Sequence, residues 1–201
     1  LSLHDALPIL PEERIVRMGP KDNFWPANAP QDGPNGPCGP CSEIFFDYGK
    51  ECGCGKAGCS PACDCRRFVE IWNLVFTQFE RTDGGVLIDL PNRNIDTGMG
   101  LERIASVIQG VRTNFEIDIF QPLTAAIRAL VPQERRALLD TDEARRKVYA
   151  IADHVRAAVF TIADGAAPSN EDRGYVVRKL VRRSVMNLHG LGVTVPALYR
   201  L

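Results

Sequence analysis

The segment Phe68–Arg81 constrains the fold more than any other part of this chain. It is a long run of β-branched and aromatic residues. Read as a strand, it places Val69, Ile71, Asn73, Val75, Thr77 and Phe79 on one face and Glu70, Trp72, Leu74, Phe76 and Gln78 on the other. Thr82-Asp83-Gly84-Gly85 is a turn sequence, so Val86–Leu90 returns as a hairpin partner. Upstream, Ser42–Tyr48 reads as a further strand, and the Pro-, Gly- and Asn-rich stretch Asn23–Gly39 as an irregular loop. The first half is therefore expected to be largely antiparallel sheet.

All seven cysteines fall between Cys38 and Cys65. Five crowd into the excursion at 52–65, where glycines and prolines let a short loop turn back on itself. No secretion signal is apparent in Leu1–Leu10, so disulfides are not the expected use of these thiols. Two readings stand: a structural zinc site of Cys54, Cys59, Cys63 and Cys65, with Cys52 outside it, or a loop of free thiols. An all-thiolate site leaves no open position, which argues against catalytic zinc. Cys38-Gly-Pro-Cys41 has redox spacing but sits in a loop with two prolines, not at a helix start, and reads as a shaped wall.

Asp96-Thr97-Gly98-Met99-Gly100 reads as the opening of a helix with apolar positions at Leu101, Ile104, Val107, Ile108 and Val111. Beyond about Phe120 the pattern is helical. Val148, Ile151, Val155, Val159 and Ile162 trace one face of a helix ending near Gly165. A second helix, capped by Ser169 or Asn170, turns Val177, Leu180, Val181, Ser184 and Leu188 inward. The net charge is −1, yet from Arg145 onward ten Lys/Arg stand against four Asp/Glu. Arg178, Lys179, Arg182 and Arg183 form a cationic stripe that is either a phosphate-binding surface or a solvated helix face. No apolar run is long enough to cross a membrane.

Together these motifs resemble the alanyl-tRNA synthetase family of class II aminoacyl-tRNA synthetases. The resemblance is carried by Asn23-Phe24-Trp25, Gly36–Glu43, Phe68–Phe76 and Asp96–Arg103, then by Ala152–Arg156, Pro168–Glu171 and Arg173-Gly174-Tyr175. It implies an α+β fold: part of the antiparallel sheet of a class II catalytic domain, followed by a helical domain. The implied division is the C-terminal part of the aminoacylation domain over 11–120, with the cysteine-rich insertion 52–65, and the start of a tRNA-recognition domain over 121–201. Residues 1–10 are unmatched.

The resemblance also implies a cytoplasmic, ATP- and Mg2+-dependent ligase of protein biosynthesis. Alanine would be activated to alanyl-adenylate and passed to tRNA(Ala). Arg103 and Asp96 would be catalytic, with Arg103, Gly98 and Gly100 binding ATP. Trp25, Asn73, Val75, Asp96 and Gly98 would bind alanine, and Asn170, Arg173, Arg178, Lys179, Arg182 and Arg183 the acceptor stem. Read without the resemblance, each has a plainer alternative: Trp25 and Val75 as core residues and Asp96 as a helix cap. Class II motifs 1 and 2 are expected upstream, so the 201 residues alone are expected to be inactive. The competing expectation is a non-catalytic RNA-binding module with a zinc knob. The oligomeric state is left open.

Overall fold

A computed structural model describes residues 10–201, in two compact units that meet in sequence between Arg112 and Thr113. Of the stretch 1–10 expected to be unmatched, all but Leu10 lies outside the described residues. The first unit is built on a four-stranded antiparallel sheet in the order β1-β2-β3-β4. Its strands are β1 (Phe24–Trp25), β2 (Gly36–Asp47), β3 (Phe68–Arg81) and β4 (Leu87–Met99). The strand expected at Phe68–Arg81 is β3, paired on both sides, and the hairpin to β4 turns at Asp83–Gly85.

Three stretches differ from the sequence expectation, the first being Phe24–Trp25, which lies in the expected loop but pairs with β2 as strand β1. Gly36–Cys41 is strand, not loop. Its reach into the sheet depends on Gly39, where an added Cβ would stand 2.0 Å from the Phe76 carbonyl oxygen. Only a glycine lets the two backbones lie this close, at the point where the β2–β3 register shifts between Cys38 and Cys41. Asp96–Met99 is also strand, and the helix begins only after Gly100, as α1 (Leu101–Ile108). Pairing of Gly98 with Asn73 and of Met99 with Trp72 outweighs the helix-opening look of the glycines. Asp96 is therefore not a helix cap.

β4 carries a further irregularity. Phe79 pairs with Asp89 but Thr77 pairs with Asn94, so Leu90-Pro91-Asn92-Arg93 bulges out. Proline lacks the N–H that a continuous ladder needs, which suits it to this position. Had the hairpin register continued, Arg93 would face Val75; the bulge puts Asp96 there.

The second unit is helical, with α2 (Gln121–Leu130), α3 (Asp142–Ala163) and α4 (Asp172–Gly190). Its core holds Ile117, Ile127, Val131, Val148, Ile151 and Val177, all 1% exposed or less. Thr141 caps α3 by accepting the Ala144 N–H. Along α3 the buried line follows Val148, Ile151 and Val155 but then passes to Ala158, leaving Val159 and Ile162 exposed. The N-cap of α4 is Glu171, with neither Ser169 nor Asn170 in that place. Ser169 is instead folded against the first turn, donating its N–H to the Gly174 carbonyl at 3.0 Å. A Cβ on Gly174 would collide with the Ser169 hydroxyl, so glycine is required there. Val177, Ser184 and Leu188 are buried and Leu180 and Val181 half-buried, as the periodicity requires. No helix among the described residues is long and apolar enough to cross a membrane.

The excursion between β2 and β3 is closed at its neck by a bidentate pair. Arg67 donates Nε and a terminal nitrogen to the two Asp47 carboxylate oxygens, both at 2.7 Å, and Tyr48 N–H meets the Arg67 carbonyl at 2.8 Å. The Arg67 guanidinium holds the Asp47 carboxyl down at about 2, assisted by the Gly49 N–H.

Two expectations follow from this geometry. Gly39→Ala should destabilise the sheet unit by at least about 1–3 kcal/mol in urea unfolding, because the clash is with backbone and cannot be relieved by a rotamer. Asp47 stabilises the fold fully above the ordinary carboxylate range, and that contribution fades as pH falls through about 2. Asp47→Asn should therefore be less stable than the parent at pH 6, with the two unfolding midpoints converging toward pH 2. A gap independent of pH would contradict the ion pair.

Candidate active site

Residues opposite one another in an antiparallel sheet share a face. The register therefore lays two rows across β2, β3 and β4: Glu43–Asn73–Gly98 and Cys41–Val75–Asp96. Four residues singled out from the sequence, Asn73, Val75, Asp96 and Gly98, thus become neighbours although they come from two strands. Val75 is buried at 7% exposure and forms an apolar floor. Asp96 is exposed: β4 is the last strand among the described residues and leaves it open to solvent. No protein atom lies within 4 Å of where a Gly98 Cβ would stand.

Glu43 and Cys41 are members of this face that sequence reasoning missed as site residues. Asn73 donates its side-chain N–H to Glu43 Oε1 at 2.9 Å, and the Cys41 thiol points at the same oxygen from 3.7 Å. Burial raises the Glu43 carboxyl, and the nearby Glu70 charge raises it further; Cys41 and Asn73 oppose this by donating to it. Burial, then the Glu43 charge, push the Cys41 thiol up to about 11, so it stays protonated at neutral pH. Asn73 Oδ1 is buried without a hydrogen-bond partner among the described residues. An acceptor left in that state costs about 1–3 kcal/mol, which an arriving donor would offset.

Arg103 lies in the first turn of α1 and donates to the Glu70 carbonyl at 2.8 Å, with Glu70 Oε2 at 3.5 Å. Gly100 makes room for it, since a Cβ there would press on Arg103 Cδ at 3.1 Å. Trp25 is half exposed and pairs with Gly39, one strand removed from β3. The face thus offers a free carboxylate, an unmet amide acceptor, a small apolar floor and open space. That set suits a small molecule bearing an ammonium group.

In the cysteine excursion, the sulfurs of Cys54, Cys59 and Cys63 lie within 4.8 Å of one another. Cys65 Sγ is 3.7 Å from Cys59 Sγ, and every one of the seven cysteines is free. A main-chain N–H of Ser60 lowers the Cys63 thiol, and one of Arg67 lowers that of Cys65. On the helical unit, Asn170, Arg173, Arg178, Lys179, Arg182 and Arg183 are all exposed, and Arg178 donates to Asn170 Oδ1. Arg178 and Arg182, like Lys179 and Arg183, are one helical turn apart, so the four form a continuous stripe.

The family of class II (A) tRNA synthetases matches residues 2–201. The alanine–tRNA ligase of Desulforamulus reducens is 50% identical over 192 residues, which is 96% of this chain and 21% of that protein. That of Desulfosudis oleivorans is 50% identical over 191 residues, 95% of this chain and 21% of the relative. That of Thermoanaerobacter sp. (strain X514) is 49% identical over 192 residues, with 96% and 21% covered. The chain thus spans about a fifth of the length of the curated relatives it matches. With the match extending over nearly all of its residues, the chain belongs to the class II tRNA synthetase family that includes the alanine–tRNA ligases.

Proposed function

We propose that this chain supplies one wall of the aminoacylation site of an alanine–tRNA ligase acting in cytoplasmic protein synthesis. The observation that carries the reading is the pair of rows across the sheet, which sets Asp96 and Asn73 around the apolar Val75 and the open space at Gly98. Asp96 pairs with the alanine ammonium and Asn73 Oδ1 accepts a second of its protons. Val75 meets the methyl group, and Trp25 encloses the pocket from the β1 side. The alanine carboxylate then attacks the ATP α-phosphorus, forming the acyl–phosphate bond as pyrophosphate leaves. A tRNA ribose hydroxyl next attacks the carbonyl carbon and AMP leaves. The protein's share is positioning and charge stabilisation.

Arg103, entering α1 beside Gly98 and Gly100, lies along the triphosphate, and the Glu70 contacts hold it there. Magnesium takes hard oxygen ligands; Glu70, whose carboxylate stands beside Arg103, would offer one, and the ion would supply neutralisation of phosphate charge. The sheet unit acts as the later part of the catalytic domain. The helical unit begins the tRNA-recognition domain, with Asn170, Arg173, Arg178, Lys179, Arg182 and Arg183 contacting acceptor-stem phosphates and the shallow groove. A pocket sized for a methyl group rejects glycine by only about 1–3 kcal/mol, so such an enzyme needs editing.

The test is alanine-dependent ATP–pyrophosphate exchange by the full-length protein that contains this sequence. Asp96→Asn should lower kcat/KM for alanine by about 100-fold, the cost of losing a charged hydrogen bond, and leave tRNA affinity unchanged. Unchanged exchange in the variant would refute the assignment of Asp96. A parent protein that binds tRNA but shows no exchange would favour a non-catalytic RNA-binding module. The 201 residues by themselves, a fifth of the relatives' length, should show no exchange.

A further inference from the structure

We propose that Glu43 is a positioning residue of the alanine site: its carboxylate holds the Asn73 side-chain amide by the nitrogen end, and so determines that this amide meets a ligand as an acceptor. The assignment rests on the aminoacylation reading of this face and deepens it. What carries it is the contrast between the two cross-strand neighbours of Asn73. On β2 stands Glu43, whose Oε1 accepts the Asn73 Nδ2 proton at 2.9 Å. On β4 stands Gly98, which has no side chain, and no protein atom lies within 4 Å of where its Cβ would be. Of these two neighbours only Glu43 can grip the amide.

The grip is directional. A side-chain amide carries two donors at one end and an acceptor at the other, in groups of nearly the same shape. Packing therefore distinguishes the ends poorly, and a hydrogen-bond partner decides between them. An ionised carboxylate has acceptors alone, so it takes the nitrogen and repels the oxygen. A turned amide would offer N–H groups to the ligand, the wrong polarity for an ammonium. As held, the nitrogen is engaged and Oδ1 is buried without a hydrogen-bond partner among the described residues. A buried acceptor in that state favours an arriving donor.

Glu43 is itself held. Cys41 lies two residues before it on the same face of β2, and its thiol points at Oε1 from 3.7 Å, with the Asp22 carbonyl 3.8 Å from the sulfur. Burial, then the Glu43 charge, raise that thiol to about 11, so it keeps its proton and can donate. Cys41 and Asn73 favour the ionised carboxylate; burial and the charges of Glu70 and Asp22 oppose it. A glutamine would fill the same space without carrying a charge into this acidic surrounding. It would also offer the amide both a donor and an acceptor, and the direction of the grip would be lost.

The test is alanine-dependent ATP–pyrophosphate exchange by the full-length protein, comparing the parent with Glu43→Gln, Asn73→Ala, the double variant Glu43→Gln/Asn73→Ala, and Asp96→Asn. Glu43→Gln should raise KM for alanine about tenfold, with kcat and KM for ATP changed by no more than about twofold. In the Asn73→Ala background the same substitution should move alanine KM by less than about twofold, since a residue that acts through the amide has nothing to act on once it is gone. Where a variant turns over too slowly, the dissociation constant of a non-hydrolysable alanyl-adenylate analogue completes the cycle. Should Glu43→Gln fail to fold, Glu43→Ala, which leaves the amide nitrogen without its acceptor, takes its place. An unchanged alanine KM, an equal rise with and without Asn73, or a loss spread over kcat and KM for ATP would each overturn the proposal. If Asp96→Asn still lowers exchange in that case, the aminoacylation reading stands; unchanged exchange in Asp96→Asn removes both together.

Discussion

The pairing of β3 with a strand on each side is the constraint on which the sheet unit depends. Because side chains alternate across a strand, a slip of one residue on either side would turn its partner's side chains to the opposite face. Two irregularities prevent the wrong registers. Gly39 lets β2 press against the Phe76 carbonyl, and the Leu90–Arg93 bulge advances β4 until Asp96 faces Val75. Without the second, an arginine would stand where the free carboxylate now lies. The chemical identity of the face is thus set by backbone features that carry no functional side chain of their own.

The polar network on that face is arranged around a shortage of donors. Glu43 receives hydrogen bonds from Asn73 and Cys41 at one oxygen, and burial with the Glu70 charge makes its ionised form costly. Cys41 serves as a neutral donor in this network. Its thiol, like that of the fully buried Cys38, is raised by burial. A redox dithiol needs a stabilised thiolate, so the CxxC spacing here serves packing. With the Asn73 amide nitrogen turned to Glu43, Oδ1 is left buried without a partner among the described residues.

What could be read from the sequence was what depends on local pattern. The alternation over Phe68–Arg81, the turn at Thr82–Gly85 and the stripe from Arg178 to Arg183 all follow from spacing within one element. The convergence of Cys54, Cys59 and Cys63 was legible for the same reason, since a loop this short keeps its sulfurs close. What could not be read depends on distant partners. Gly36–Cys41 has loop composition and becomes strand only because β3 lies beside it. Asp96–Met99 has helix-opening glycines and becomes strand for the same cause. Glu43 gave no signal because its partner, Asn73, is thirty residues away. Asp96 was recognised through family resemblance, but its exposure and its opposition to Val75 required the register of β4.

The central claim is that the face formed by β2, β3 and β4 receives alanine. The most direct test is a crystal structure of the full-length protein with a non-hydrolysable alanyl-adenylate analogue. The ammonium should lie within hydrogen-bond distance of the Asp96 carboxylate and the Asn73 side chain, with the methyl group against Val75 and the phosphate toward Arg103. An analogue seated away from this face, or bound on it with its ammonium remote from Asp96, would contradict the account.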